Sequence, residues 1–186
     1  MPARRKAAST PPEPDFEAPA NVDLERYVPA YLSWISNKLS RGASQHYLSE
    51  FNIGIEVWRC LVLLAVESEV SAQQVSRVIG MDKAAVSRCF KSMNDQGYIT
   101  FGLDAMDGRV RLARLTPKGR TLHDDVLQVA LARERAFLSV LSDAEVNTLI
   151  ELLKRLHENL PQVDAATVEF LAQRNARAAK SSRKRT

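Results

Sequence analysis

Residues 71–99 read SAQQVSRVIGMDKAAVSRCFKSMNDQGYI, and this stretch decides the fold. Ser71-Ala-Gln-Gln74 has the spacing of a capping box, in which the Ser hydroxyl and the Gln side chain satisfy each other's backbone amides. It opens a short helix expected to bury Val75, Val78 and Ile79 and to stop at Gly80. Asp82 then caps another helix running to about Gln96, with Gly97 just past its end. Two helices are thus joined across Ile79-Gly-Met-Asp82. The second has two unlike faces. Val86, Cys89, Phe90 and Met93 form an inward stripe at helical spacing. Lys83, Ala84, Ser87, Arg88 and Lys91 form the other stripe, made only of small, hydroxyl and cationic side chains. A merely solvated helix face mixes in Glu, and none lies between Lys83 and Lys91. Ala84 and Ser87 permit close approach to base edges, while Lys83, Arg88 and Lys91 supply donors to guanine edges or phosphates.

Downstream, Tyr98-Ile-Thr-Phe101 and Arg109-Val-Arg-Leu-Ala-Arg-Leu115 read as short strands around the turn-rich run Gly102-Leu-Asp-Ala-Met-Asp-Gly108. Two helices and a hairpin in this order make a winged helix-turn-helix. The fold class expected is therefore mainly α with a two-stranded β-wing, carried with a helical lobe. Upstream, Leu24, Val28, Tyr31, Leu32, Ile35 and Leu39 mark one helical face closed by Gly42; Pro29 either sits in its first turn or kinks an earlier one. A further helix from about Ile55 to Val66 is apolar almost all round, which predicts central burial. Thr116-Pro117 starts a helix reaching about Leu141, with Leu122, Val126, Val129, Ala130 and Phe137 inward. Ser142-Asp-Ala-Glu145 is a second capping box, before an amphipathic helix with Val146, Leu149, Ile150, Leu153, Leu156 and Leu160 that Pro161 ends. A weaker helical stretch spans Asp164 to Ala172.

Charge is segregated along the chain. Residues 71–120 carry nine Lys/Arg against four Asp/Glu, residues 121–170 four against nine, and residues 171–186 six basic residues and no acid. A basic block inside an acidic body is the footprint of a phosphate-binding surface. Residues 1–22, with five prolines, read as a disordered arm, and the basic tail from Arg174 is also expected to be disordered. No apolar run approaches the ~20 residues that span a bilayer, so no membrane partner is expected. The opening Met1-Pro-Ala-Arg-Arg-Lys lacks the apolar region of a secretory signal. Cys60 and Cys89, both among apolar residues, suit a reducing cytoplasm and read as small core residues.

The run from Ser71 to Ile99, followed by Asp107-Gly-Arg-Val-Arg-Leu-Ala-Arg-Leu-Thr-Pro-Lys-Gly119, resembles the multiple antibiotic resistance regulator (MarR) family. Its wing carries an Asp-x-Arg motif, here Asp107 and Arg109, ahead of a Leu-Thr-x-x-Gly run, here Leu115, Thr116 and Gly119. The resemblance covers roughly residues 24–160; Ser76 stands where a small Ala is usual, and the tail beyond residue 160 is longer than typical. It implies a cytoplasmic bacterial homodimer that binds a pseudo-palindromic, double-stranded operator and usually represses. The domains implied are residues 23–160 of this type, with 55–120 as the winged lobe, 23–50 and 121–160 as dimerisation helices, and 161–186 as a basic tail. Arg109 would enter the minor groove, steadied by Asp107, whose plain alternative is to stabilise the turn. Arg111, two residues on along the strand, would reach the backbone. Ser71 and Gln73 would offer amides and side chains to a phosphate.

The family's ligand pocket lies between its DNA-binding and dimerisation lobes. Tyr27, Tyr31, Trp34, His46, Tyr47, Trp58 and Arg59 are available there, and aromatics with one cation suit a planar aromatic carboxylate or its thioester. The alternative for Tyr31 and Trp34 is dimer or lobe core. Catalytic motifs are lacking in the sequence: His46, His123 and His157 lie far apart, with no Gly-x-Ser-x-Gly, phosphate loop or His-Glu-x-x-His. No metal or cofactor is expected; His123 beside Asp124 and Asp125 is the nearest approach to a zinc set. The relatives that sense peroxide do so through a cysteine near the first helix, which this chain lacks. The expected function is a ligand-responsive repressor. The rivals are an effector-independent regulator or activator and, from another class, a small-molecule-modifying enzyme on the same scaffold.

Overall fold

The computed structural model describes residues 21–104, 106 and 108–183. The expected disordered arm, Asp107, and the terminal Lys184 and Arg185 therefore lie outside the described residues, apart from Asn21 and Val22. The chain divides into two compact units, Met1–Thr116 and Pro117–Thr186.

The first unit holds α1 (Val28–Phe51), α2 (Ile55–Glu67), β1 (Val70–Ser71), α3 (Ala72–Ile79), α4 (Lys83–Asp95), β2 (Ile99–Leu103) and β3 (Arg111–Leu115). Pro29 sits in the first turn of α1, where its missing N–H costs no helical bond. Gly42 does not close this helix. α1 runs through it to Phe51 and ends on Asn52, which takes the left-handed conformation at φ 56° that Asn tolerates. A glycine inside a helix costs roughly 1 kcal/mol against Ala, and the burial of Ala43 and Tyr47 on the following turns is what carries the helix past it.

α2 buries Cys60, Leu61 and Leu64 but leaves Val62 and Val66 exposed, so its centre is less enclosed than its composition predicts. α3 buries Val75; Val78 is exposed, contrary to the expected stripe, because eight residues present a single narrow face. The inward residues of α4 are Val86, Cys89, Phe90 and Met93, all four buried as expected. Gly80 (φ 67°) and Gly97 (φ 74°) end α3 and follow α4 in the left-handed region, where a side chain would be strained.

The wing is a hairpin in register Ile99↔Leu115, Phe101↔Ala113 and Leu103↔Arg111. It gains a third strand: β1 pairs antiparallel with β3, Val70 opposite Ala113, giving the order β1-β3-β2. Two residues are too few to show alternation, which is why β1 leaves no mark in the sequence pattern. The next helix begins at Pro117, which leaves Thr116 at its N-cap position as expected; the Thr116 hydroxyl also donates to the Gly97 carbonyl at 2.7 Å and ties the end of β3 to the end of α4.

The second unit holds α5 (Pro117–Leu138), α6 (Asp143–Glu158) and α7 (Leu160–Arg183). α5 ends three residues short of the expected Leu141; it buries Val126 and leaves Phe137 exposed. The Ser142–Glu145 capping box of α6 is present in both directions. Pro161 does not merely end a helix: Asn159 closes α6, and Pro161 falls in the first turn of α7. α7 continues through Arg174 to Arg183, where the charge pattern predicts a disordered tail. Six alanines between residues 165 and 179 supply the helix propensity that outweighs repulsion among its cations. The face predicted on α6 is exposed within the single chain, with Leu149, Ile150, Leu153 and Leu156 each between 36% and 49% accessible.

Candidate nucleic-acid interface

The turn between α3 and α4 fixes the site. The Ser76 hydroxyl donates to the Met81 carbonyl at 2.6 Å across this turn, and the Asp82 carboxylate accepts from the Ala85 amide at 3.0 Å. Ser76, a departure from the small Ala expected by resemblance, thus holds the chain where α4 begins. The four buried residues of α4 turn their backs to solvent, so Lys83, Ala84, Ser87, Arg88 and Lys91 share the outer face, and all five are exposed. The Ser87 hydroxyl donates to the Lys83 carbonyl at 2.9 Å, which leaves its oxygen lone pairs facing out as acceptors.

At the start of α3 the Ser71 hydroxyl accepts from the Gln74 amide (3.2 Å), and the Ser71 amide donates to the Gln74 side chain (2.7 Å). Ser71 is therefore committed to the cap, while Gln73 is exposed beside it. Ser71, Gln73, Gln74, Ser76 and Arg77 line a depression of about 390 Å³.

On the wing, Arg109 lies in the turn before β3 and is exposed; Arg111 is the first residue of the strand. The expected two-residue strand relation between them does not hold, because the turn extends through Arg109. Arg111 is placed by a different contact: its guanidinium carbon sits 4.3 Å from the centroid of the Phe101 ring, a diagonal cross-strand pairing. Phe101 in turn packs on Phe90 of α4, ring centroids 6.1 Å apart. Arg111 and Lys91 consequently face one cleft of about 440 Å³ between α4 and the wing, together with Ser87, Asn94, Ala72 and Phe101. Arg114 has another role, forming an ion pair with Glu69 at 2.6 Å that fastens β3 to the segment before β1. The arrangement offers a convex helix presenting donors, with cations flanking it on the wing side. Such a surface fits a groove edged by phosphates.

Of the seven residues expected near a ligand, Tyr27 is exposed and the other six fall into separate groups. Tyr31 and Trp34 are exposed on α1 and meet edge to face at 5.6 Å. Tyr47 is buried and meets Trp58 edge to face at 5.8 Å, while Arg59 donates to the Ser40 hydroxyl at 3.0 Å. His46 is exposed. His123, buried on α5, has its Nδ1 2.7 Å from the Asp124 carboxylate. Among the described residues, no group of three or more His, Cys, Asp or Glu could hold a metal ion, and no helix is long and apolar enough to cross a membrane. One juxtaposition is invisible in the sequence. Cys60 and Cys89, 29 residues apart, bring their sulfurs to 3.6 Å, with the Met93 sulfur 3.8 Å from that of Cys89. Each reads in the sequence as an isolated core residue, and nothing in their spacing shows that α2 and α4 cross there.

Residues 51–110 match the MarR family. A MarR/EmrR family transcriptional regulator from Acinetobacter sp. ADP1 is 33% identical in its crystal structure, with 76% of this chain and 99% of that one covered at a TM-score of 0.71. MarR from E. coli in its apo form is 22% identical, covers 69% of this chain and 96% of its own, and shares the fold at a TM-score of 0.59. The HTH-type transcriptional regulator YdgJ of Bacillus subtilis is 28% identical over 105 residues, 56% of this chain. That match spans 64% of YdgJ's length.

Proposed function

The chain belongs to the MarR family of DNA-binding transcriptional regulators, and from that premise we propose that it acts as a homodimeric, ligand-responsive repressor of a pseudo-palindromic operator. One observation carries the reading: the outer face of α4 holds three cations and two small residues with no acid, directly opposite a stripe of four buried residues. In this reading Arg88, Lys83 and Lys91 contact base edges and phosphates in the major groove, and Ala84 and Ser87 allow the close approach. Arg109, which Asp107 precedes by two residues in the sequence, takes the minor groove. Arg111 reaches the phosphate backbone from its seat on Phe101, and Gln73, with the Ser71 cap, meets a phosphate at the start of α3. The exposed leucines of α6 supply the dimer interface, since a contiguous apolar patch of this kind on a single chain calls for a partner.

The effector is a small aromatic anion or its thioester, taken up near Tyr31, Trp34, His46, Tyr47, Trp58 and Arg59. It releases the operator only if it binds the non-operator geometry more tightly, because equal affinity for both states shifts nothing. Selection of duplexes from a random pool tests the DNA reading directly. Enrichment of an inverted repeat supports it, and enrichment of nothing above background removes it. Thermal-shift titration with aromatic acids and their CoA thioesters tests the effector, whose binding must also weaken the selected duplex.

A further inference from the structure

The pair formed by Cys60 and Cys89 lies directly beneath the helix that carries Lys83, Ser87, Arg88 and Lys91. Cys60 is fully buried on α2, Cys89 is 8% exposed on α4, and their sulfurs touch at 3.6 Å. A disulfide has its sulfurs about 2.05 Å apart, so closing this pair demands an approach of about 1.5 Å. That distance is within reach of side-chain rotation and a small helix shift. The two groups are also chemically unequal. The hydrogen bond shared with Cys60 holds Cys89 below the ordinary thiol range, against burial and the Glu56 carboxylate. The same bond, with burial and the charge on Cys89, pushes Cys60 up. Cys89 is the less enclosed residue of the two, and the Cys60 sulfur is held in contact with its own.

We infer that Cys60 and Cys89 form a redox-closed pair, in which a small hydroperoxide drives an intramolecular disulfide between α2 and α4 that weakens DNA binding. The Cys89 thiolate attacks one oxygen of the hydroperoxide and the O–O bond breaks. The leaving alkoxide or hydroxide takes a proton, and Cys89 becomes a sulfenic acid. The Cys60 sulfur then attacks the Cys89 sulfur and the S–O bond breaks. The departing hydroxide takes the Cys60 proton and leaves as water. Two thiols lose two electrons and the peroxide gains them. Of the two cysteines Cys89 alone keeps residual exposure, at 8%, and is therefore assigned the attack on the small hydroperoxide. Closure draws the inner face of α4 toward α2 and moves the outer face out of register with the groove; this last step rests on the DNA-binding reading above.

The experiment treats the full-length protein with hydrogen peroxide, blocks remaining thiols with iodoacetamide, and digests with trypsin without reduction. Cleavage after Arg59, Arg77, Arg88 and Lys91 puts the two cysteines at the heads of separate peptides, 60–77 and 89–91. The expected product joins these peptides with the loss of two hydrogens, and a reducing agent separates them. Both cysteines recovered alkylated, or Cys89 over-oxidised beside an alkylated Cys60, overturns the inference. In parallel, the duplex enriched by the reduced protein from a random pool is titrated with reduced and oxidised protein. Oxidation should weaken binding about 30-fold or more, the effect expected when one base contact per half-site is misaligned. Cys60→Ala, checked for folding by thermal melting, should keep its affinity under peroxide. A disulfide that forms without changing affinity overturns the regulatory step. If the reduced protein enriches no sequence, the DNA premise fails, and the disulfide is still decided by the peptide map.

Discussion

Arg88→Ala separates reading of sequence from mere attraction to DNA. Arg88 is exposed on α4, on the face opposite the buried Val86, Cys89, Phe90 and Met93, so truncation removes no core packing. Arg and Ala are both strong helix formers, and stability should stay within about 0.5 kcal/mol of wild type. A good bidentate contact to guanine contributes about 1–3 kcal/mol of discrimination. A symmetric dimer forfeits it twice, so the enriched duplex should be bound about 2–6 kcal/mol more weakly, from about 30-fold to more than 10⁴-fold. Binding to a scrambled duplex should fall far less, because there the side chain meets only phosphates. Fluorescence anisotropy on both duplexes, with a melting curve for each protein, measures all three quantities. Equal losses on the enriched and scrambled duplexes would make Arg88 a phosphate contact, and no loss on either would take it off the reading face.

Leu153→Glu, at the centre of the exposed stripe of α6, should convert dimers to monomers or aggregates in sedimentation at micromolar concentration; a wild-type monomer under those conditions contradicts the assembly. The carboxyl of Glu145 is held below the ordinary range by the Ser142 amide and hydroxyl. Its ionised form therefore stabilises the fold above the unfolded-state Glu value, and that contribution disappears as pH falls through the lowered value. Relative to Glu145→Gln, the wild-type melting temperature should accordingly rise as pH increases through the acidic range and then level; a difference that shrinks with rising pH refutes the assignment. Deleting residues 173–186 should weaken enriched and scrambled duplexes by similar factors. The slope of log affinity against log salt should flatten by roughly 0.9 for each phosphate the tail no longer neutralises, whereas an unchanged slope places these cations away from DNA.

Local rules make the centre of the fold legible. Both capping boxes, the Asp82 cap, the left-handed glycines and the two faces of α4 depend on residues within one or two turns, and the sequence displays them directly. Contacts between distant segments are hidden. The seat of Arg111 on Phe101, the Arg114–Glu69 ion pair and the Cys60–Cys89 contact join residues that no periodicity links. Gly42 and Pro161 mislead for a related reason. Each carries a cost set by its local backbone, and its effect depends on neighbours: Gly42 is carried by a packed helix, and Pro161 opens the next one. The helix through Arg174 is obscured by its own cations, whose repulsion stands out in the sequence more than the alanines that overcome it.

The helical course of α7 gives the cations at its far end a phase. On a disordered tail Arg174 and Arg177 could turn to any phosphate within reach, and adding a residue upstream would change little. On α7 they lie three residues apart on a rod that advances about 1.5 Å and turns about 100° per residue. One residue inserted between Val168 and Arg174 would swing both arginines about 100° around the axis, while four inserted together would return them to within about 40° of their first bearing, one turn further on. The reach of this end of the protein is thereby written in multiples of a helical turn, so that length changes in the segment act as rotations as well as extensions.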